Sequence, residues 1–298
     1  MARFHRRRAA QGFRVLRAAA APLRPYRRTD RGGGLLITRV ITGVILGGAL
    51  IATVLLLPTR LAAAVLAVLW LAGAWEWAGL ARLRKPYQAL YVGVVAVGMV
   101  LSFRAGGSSV TPMLIFAVAW WAVALAALLT APHTFGMAAV ASAGLVVLLP
   151  SWLLLVELHG DGPSGPQLAL TALAIVWAAD VGAYGVGRML GRVKLAPKVS
   201  PGKTWEGLCG GVALAALAAW AAAAIIGLPR AEMVGLGVVT ALVSVVGDLT
   251  VSMFKRNVGV KDSGALLPGH GGVMDRIDSL TAAVPVFMLG VQLTGIAP

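Results

Sequence analysis

Residues 35–57 read LLITRVITGVILGGALIATVLLL, an apolar run of 23 residues with a single charge, Arg39. A helix needs about 20 apolar residues to cross the hydrocarbon core of a bilayer. The apolar region of a secretory signal peptide is shorter, about 7–15 residues, and small residues at a cleavage site follow it. Leu57 is instead followed by Pro58 and Thr59. The run therefore predicts a first transmembrane helix and not a signal peptide.

Eight further apolar stretches of similar length follow the first one. They cover residues 61–80, 87–104, 110–130, 135–157, 167–187, 207–228, 232–254 and 277–296. The stretch at 135–157 is the least regular, because Pro150 interrupts it. The connections between the stretches are short. The pattern predicts an all-α, polytopic integral membrane protein of about nine transmembrane helices, with one catalytic domain over residues 35–298.

The overall composition supports this prediction. The chain has 298 residues, of which 59% are hydrophobic and 12% charged, and its mean hydropathy is +0.85. A soluble domain carries about a quarter charged residues, and a core of this size could not bury so much apolar surface. An ordinary soluble enzyme is therefore excluded. The single cysteine, Cys209, excludes an internal disulfide and a metal site built from several cysteines.

Positive charge is concentrated before the first apolar run. Residues 1–34 contain ten arginines and one acid, Asp30, and so carry +9 of the net charge of +15. The segment has no sustained apolar face, and we expect a disordered cytoplasmic tail near anionic lipid headgroups. Nucleic-acid binding by this tail is the less favoured alternative.

The remaining basic residues predict the orientation of the helices, because Lys and Arg accumulate in cytoplasmic loops. With the tail inside and nine spans, 23 of the 26 Lys and Arg residues lie on the cytoplasmic side. The three outside are Arg60, Arg104 and Arg230. We therefore expect a multi-pass protein of the cell membrane with a cytoplasmic N-terminus. The charge excess then reflects topology, and we expect no nucleic-acid partner.

Aspartates inside apolar segments are the next signal. A charged residue costs about 2.5–3.5 kcal/mol at the centre of a membrane helix on insertion scales, yet Asp180 and Asp248 lie in such segments. The positions of Asp248, Ser252 and Lys255 place them on one helical face. For Asp180, two interpretations remain open: an ion pair between packed helices, or a place in the wall of a cavity.

The loop that follows Asp248 reads KRNVGVKDSGALLPGHGGVMDRID over residues 255–278. Its glycines allow backbone N–H groups to approach a phosphate, and its Lys and Arg side chains supply positive charge. Asp275 and Asp278 share a helical face, and carboxylates suit a hard cation such as Mg²⁺. The composition indicates a site for a polyphosphate carried by a metal. A basic loop contacting lipid headgroups is the plainer interpretation.

The motif Ser252-x-x-Lys255-Arg256, then Lys261-Asp262-x-Gly264, then Pro268-Gly269-His270-Gly271-Gly272-x-x-Asp275-Arg276-x-Asp278 resembles the signature of the phosphatidate cytidylyltransferases, or CDP-diacylglycerol synthases. Gly247-Asp248 and Ser200-Pro201-x-Lys203-Thr204-x-Glu206-Gly207 are also similar to that family. The resemblance covers roughly residues 35–298 and leaves out the arginine-rich tail.

The resemblance implies a nucleotidyltransferase of phospholipid biosynthesis that converts CTP and phosphatidate into CDP-diacylglycerol and pyrophosphate with Mg²⁺. It also implies a homodimer. We expect the metal carboxylates to be Asp248, Asp275 and then Asp278, with Lys255 and Arg276 completing the catalytic set. The expected substrate-binding residues are Ser200, Lys203, Thr204, Ser252, Arg256, Lys261, Asp262, Gly269, His270, Gly271 and Gly272.

Two of these assignments have alternatives. Asp262 either holds Lys261 or binds a second cation. His270 is expected to be structural or to donate to a phosphate, and a role as general base is the less favoured alternative, because the lipid phosphate is already a nucleophile. Its second pKa is about 6.

Other functional classes make different predictions. A CTP-dependent polyprenol kinase would transfer the γ-phosphate, so γ-labelled and not α-labelled CTP would label the lipid. A transporter using Asp180 and Asp248 as ion sites would move a substrate without CTP turnover. A structural scaffold explains none of the aspartate positions.

Overall fold

A computed structural model describes residues 32–130, 135–264, 266 and 271–296 of the chain, with side chains from residue 41 onward except that of residue 42. The chain consists of two units, Met1–Val40 and Ile41–Pro298. The predicted disordered tail lies, up to residue 31, outside the described residues. All contacts that position the site belong to the larger unit.

Nine helices form nearly all of the described chain. They are α1 (Gly32–Leu56), α2 (Thr59–Leu80), α3 (Lys85–Ala105), α4 (Gly107–Thr130), α5 (Met137–Gly160), α6 (Gly165–Leu190), α7 (Trp205–Ile226), α8 (Arg230–Asn257) and α9 (Met274–Thr294). Among the described residues, the eight helices from α2 to α9 are long and apolar enough to cross a membrane. The apolar part of α1 among the described residues is shorter than these eight helices and covers Gly43–Leu56. The prediction of a polytopic, nearly all-α membrane protein is confirmed.

The helix ends agree with the predicted ones to within three residues. The agreement has a physical cause, because the bilayer requires a long apolar run and tolerates few charges within it. Pro150 lies inside α5 without ending it.

A small β-hairpin departs from the all-α expectation. It consists of β1 (Lys194–Ala196) and β2 (Ser200–Thr204), which pair antiparallel between α6 and α7. Strands of three and five residues are too short to produce a periodic hydrophobic pattern, and for that reason the segment reads as a loop in the sequence. The hairpin delivers Thr204 as the N-cap of α7, where its Oγ1 accepts the Gly207 N–H at 3.1 Å.

The surface and interior of the bundle suit a lipid environment. Large apolar side chains point outward along the helices, with Val68 70% exposed and Ile225 85% exposed, and such a surface is stable in hydrocarbon. In the interior, the indole N–H groups of four tryptophans donate hydrogen bonds to neighbouring helices. These bonds are Trp70 to Ser151 Oγ at 2.9 Å, Trp77 to Val140 O at 2.7 Å, Trp121 to Thr281 O at 3.1 Å and Trp152 to Ala63 O at 3.2 Å.

Every second connection between consecutive helices lies at the same end of the bundle, which we call the polar end. Here the hairpin meets the end of α8, because Arg256 Nε donates to Val199 O at 3.2 Å. Asn257 exchanges two hydrogen bonds of 2.9 Å with the Phe135 backbone before α5. At the opposite end, His159 of α5 contacts Thr59 Oγ1 at 3.1 Å. The connection between α8 and α9, residues 258–273, is here called the signature loop. Its described residues, 258–264, 266 and 271–273, lie at the polar end.

Glycine allows α8 and α9 to approach closely beside the predicted site. A Cβ atom at Gly247 would lie 2.6 Å from the Asp278 carbonyl oxygen and 3.0 Å from Ala282 Cβ. Elsewhere on α8, a Cβ at Gly235 would meet no atom within 4 Å. The contact at Gly247 therefore sets the spacing between the helices that carry Asp248 and Asp278.

Candidate active site

A pocket of about 470 Å³ opens at the polar end between α6, the hairpin, α7 and α8. Its polar wall includes Asp180, Ser200, Lys203, Thr204 and Asp248. Four of these five residues are predicted site residues, and the five come from three separate segments of the chain, α6, the hairpin and α8. The fifth, Asp180, is open to the pocket, so of its two interpretations the structure supports the cavity wall.

Asp248 is held on both of its oxygens. Its Oδ2 pairs with Lys203 Nζ of the hairpin at 2.6 Å, and its Oδ1 accepts a hydrogen bond from Ser252 Oγ at 3.1 Å. The two charged side chains are 25% and 27% exposed. The predicted helical face therefore exists, and the hairpin adds a lysine to it.

A second lysine–carboxylate pair joins α8 to α9. Lys255 Nζ lies 2.7 Å from Asp275 Oδ1, and these side chains are 9% and 12% exposed. Asp275 Oδ2 accepts the backbone N–H groups of Ser263 at 3.0 Å and of Gly272 at 3.1 Å. Asp275 thereby holds two points of the signature loop, Ser263 and Gly272, as well as the lysine.

Asp278 lies deeper in the bundle and is only 6% exposed. Its Oδ1 accepts the Ser279 N–H at 2.7 Å. It interacts electrostatically with Asp248, Lys255 and Asp180. Lys255 also interacts with Asp248, so this lysine is the common neighbour of the three predicted metal carboxylates.

The other predicted phosphate-binding residues are exposed and are not among those that line the pocket. Arg256 is exposed, and two of its N–H groups donate hydrogen bonds to the backbone carbonyls of Val199 and Val260. Lys261 and Asp262 are exposed, and in the part of the chain that the structure describes they form no ion pair with each other. Arg276 is exposed and interacts electrostatically with Asp180.

The glycine-rich part of the signature loop is described only from Gly271 onward. Gly269 and His270 lie outside the described residues, so the structure does not test their predicted roles. Gly271 has a φ of +80°, a conformation that favours glycine. Gly272 donates to Asp275 as described above.

Glu206 holds the hairpin to α7. Its two carboxylate oxygens accept the Val193 N–H at 3.1 and 3.3 Å. The residue lies in the first turn of α7, where a negative charge interacts favourably with the helix dipole. Its contacts here are structural and hold the residue before β1 against the start of α7.

Glu76 is a site residue that the sequence analysis missed. It lies on α2, is 4% exposed, and its Oε2 accepts hydrogen bonds from Ser263 Oγ at 2.8 Å and from the Met274 N–H at 2.9 Å. The same signal that singled out Asp180 and Asp248, an acid within an apolar segment, is present in LAGAWEWAGL at residues 71–80.

Among the described residues, no three acidic, histidine or cysteine side chains form a ready metal cage. The cationic groups found at the carboxylates are lysine ammonium groups. A divalent cation at Asp248 or Asp275 would therefore need further oxygen ligands from water or from a bound phosphate, which is the usual manner of Mg²⁺ binding.

Comparison with known proteins relates this geometry to a family. Residues 37–294 match the model of the cytidylyltransferase family. The chain is 43% identical over 233 residues to the phosphatidate cytidylyltransferase of Pseudomonas aeruginosa, a match that covers 72% of this chain and 82% of the relative. It is 38% identical over 283 residues to the phosphatidate cytidylyltransferase of Haemophilus influenzae, with 85% and 97% covered.

A shorter match of 45% identity over 149 residues relates the chain to the enzyme of the same name from Brucella suis, with 50% of this chain and 55% of the relative covered. The family match over residues 37–294 includes the pocket, both lysine–carboxylate pairs and most of the helices. On this evidence the chain belongs to the cytidylyltransferase family.

Proposed function

We propose that this protein transfers the cytidylyl group of CTP to phosphatidate, forming CDP-diacylglycerol and pyrophosphate in phospholipid biosynthesis. The observation that carries the proposal is the similarity over most of the chain to relatives named for this activity. The pocket adds support, because it combines basic and acidic groups at the end of a membrane bundle. A water-soluble nucleotide and a lipid headgroup can both reach such a place.

The proposed chemistry requires little from the protein beyond positioning and neutralisation of charge. An oxygen of the lipid phosphate forms a bond to the α-phosphorus of CTP, while the bond from that phosphorus to the oxygen bridging to the β-phosphate breaks. The lipid phosphate is largely ionised near neutral pH, because its second pKa is about 6, so no general base is needed. Holding the two phosphates in line and stabilising the developing charge then provide the rate enhancement.

We assign the phosphate contacts to Lys203 and Lys255. Each ammonium lies on a carboxylate and can turn from it to a phosphate oxygen with a small movement of a flexible side chain. Arg276 and Lys261, which are exposed, meet the incoming substrates first. Ser200 and Thr204 supply hydroxyl groups in the pocket wall, and Ser252 supplies one beside Asp248.

Mg²⁺ fits the donor set as a cation shared between protein and nucleotide. Asp248 and Asp275 would hold it, with Asp278 next, and phosphate oxygens would complete its ligands. When bound, the metal would offset the charge of the leaving pyrophosphate. We also propose a homodimer in the cell membrane with the polar end facing the cytoplasm, as the family resemblance and the distribution of basic residues suggest.

Labelled CTP tests the proposal directly. The purified protein in detergent is given phosphatidate, Mg²⁺ and CTP carrying label on either the α- or the γ-phosphorus. We expect α-label in the lipid and labelled pyrophosphate from γ-labelled CTP, with no lipid product when ATP replaces CTP. In a parallel assay with a polyprenol in place of phosphatidate, transfer of γ-label to the lipid alcohol, with CDP as the other product, would instead establish the kinase alternative.

A further inference from the structure

We propose that Glu76 is a positioning residue that holds the signature loop in its substrate-binding conformation, an inference that rests on the proposed cytidylyl transfer. Ser263 and Met274 lie on either side of the glycine-rich segment, and one carboxylate oxygen of Glu76 binds both of them. Glu76 comes from α2, far away in the sequence, and has no part in the family signature described above.

The first contact of Glu76 caps α9. The N-cap residue of α9 is Val273, whose side chain cannot accept a hydrogen bond. The Met274 N–H at the start of the helix donates to Glu76 instead. Free N–H groups at a helix N-terminus need acceptors, and a negative charge is favourable there. Glu76 therefore fixes the start of the helix that carries Asp275 and Asp278.

The second contact fixes Ser263 in cooperation with Asp275. The Ser263 hydroxyl donates to Glu76, while its backbone N–H donates to Asp275. Asp275 in turn binds Lys255. Glu76 is thus linked through Ser263 and Asp275 to a lysine that we assign to phosphate binding, and its loss releases the loop rather than a ligand.

Two glycines of the loop leave room for the Glu76 carboxylate. Gly264 and Gly272 lie so close to Glu76 that a Cβ atom at either position would collide with it. The other oxygen, Oε1, is buried and has no hydrogen-bond partner among the described residues. Burying an acceptor without a partner is unfavourable, so the position is not one that maximises stability. A requirement for loop order explains it.

A role for Glu76 in ordering the loop predicts a specific change in the kinetic constants. Without Glu76 the loop samples several conformations, and the apparent affinity for a ligand falls by the fraction of protein that is competent to bind. Saturating ligand restores the competent state. In full-length protein in detergent, we expect Glu76→Ala to raise the KM for CTP at least about tenfold, since two hydrogen bonds to a charged acceptor are lost, while kcat changes far less.

Conservative and control variants sharpen the test. Glu76→Gln keeps one acceptor oxygen at the same reach and should restore most of the affinity for CTP, and Ser263→Ala should give an intermediate KM. Glu157→Ala removes another acid from a spanning helix and should leave the KM for CTP unchanged. If Glu76→Ala does not fold, Ser263→Ala decides the question, because it removes one of the two contacts from a loop.

A second readout does not depend on activity. Leu266 is an exposed residue of the signature loop, so Leu266→Cys in a Cys209→Ser background reports loop opening through its rate of maleimide labelling. Addition of Glu76→Ala should raise that rate. A lower kcat with an unchanged KM, or unchanged labelling, would overturn the inference. If the unaltered protein fails to transfer cytidylyl groups, the proposed function fails, and labelling alone then judges the role of Glu76.

Discussion

The two lysine–carboxylate pairs differ in their burial, and the difference separates their contributions to stability. Lys255 and Asp275 are 9% and 12% exposed, whereas Lys203 and Asp248 are 25% and 27% exposed. A charge that loses its partner in a buried place keeps its desolvation cost without the compensating attraction. Near the surface, water replaces most of what the partner supplied.

We therefore expect Lys255→Met to destabilise the protein by about 3–5 kcal/mol and Lys203→Met by about 1 kcal/mol or less. The double variant Lys255→Met/Asp275→Asn should recover part of the loss, because no unpaired charge remains. Melting in detergent, followed by intrinsic tryptophan fluorescence, measures both effects. Equal shifts for the two single variants would contradict the argument from burial.

Activity should depend on Asp248 more than stability does. Its partner Lys203 is partly open to water, so Asp248→Asn leaves a cation that can still be solvated. We expect normal yield and a loss in turnover of about 100-fold or more, the effect typical of removing a preorganised electrostatic group. The Mg²⁺ concentration for half-maximal rate should rise. Near-normal turnover at low Mg²⁺ would remove Asp248 from the proposed metal ligands.

At the scale of elements, the contact between α8 and α9 sets the distance between the carboxylates. Gly247 provides the closest approach, against the Asp278 carbonyl oxygen. The additional methyl group of an alanine would push the two helices apart by several tenths of an ångström or more. Misplacement of catalytic groups on that scale lowers rates strongly.

We predict that Gly247→Ala abolishes most of the activity, whereas Gly235→Ala on the same helix does not reduce it. The control meets no atom within 4 Å and gains about 0.5–1 kcal/mol of stability from the better helix propensity of alanine. Turnover and melting temperature of both variants provide the comparison. Full activity in Gly247→Ala would show that the spacing of α8 and α9 is not critical.

At the scale of the whole molecule, the fold was largely predictable, because a long apolar run in the sequence predicts each helix. The site was predictable only in part. The positions of Asp248, Ser252 and Lys255 on one face follow from helix periodicity. The pairing of Lys203 with Asp248 does not, since it depends on a short hairpin that leaves no periodic pattern. Glu76 was missed because its partners lie far away in the sequence.

The orientation of the bundle gives the last prediction. Leu266 at the polar end and Asp161 at the opposite end are both exposed. In the Cys209→Ser background, we expect an impermeant maleimide added to intact cells to label Asp161→Cys and not Leu266→Cys. Both should react after the cells are permeabilised. External labelling of Leu266→Cys would place the pocket on the side without CTP.

The pairing of each lysine with a carboxylate means that the site contains its own counter-ions. A phosphate arriving alone must displace a carboxylate from an ammonium group, and a divalent cation arriving alone must displace the ammonium from the carboxylate. When the two arrive together, every group exchanges one opposite charge for another. Nucleotide and cation should therefore strengthen each other's binding by the same factor, as thermodynamic reciprocity requires.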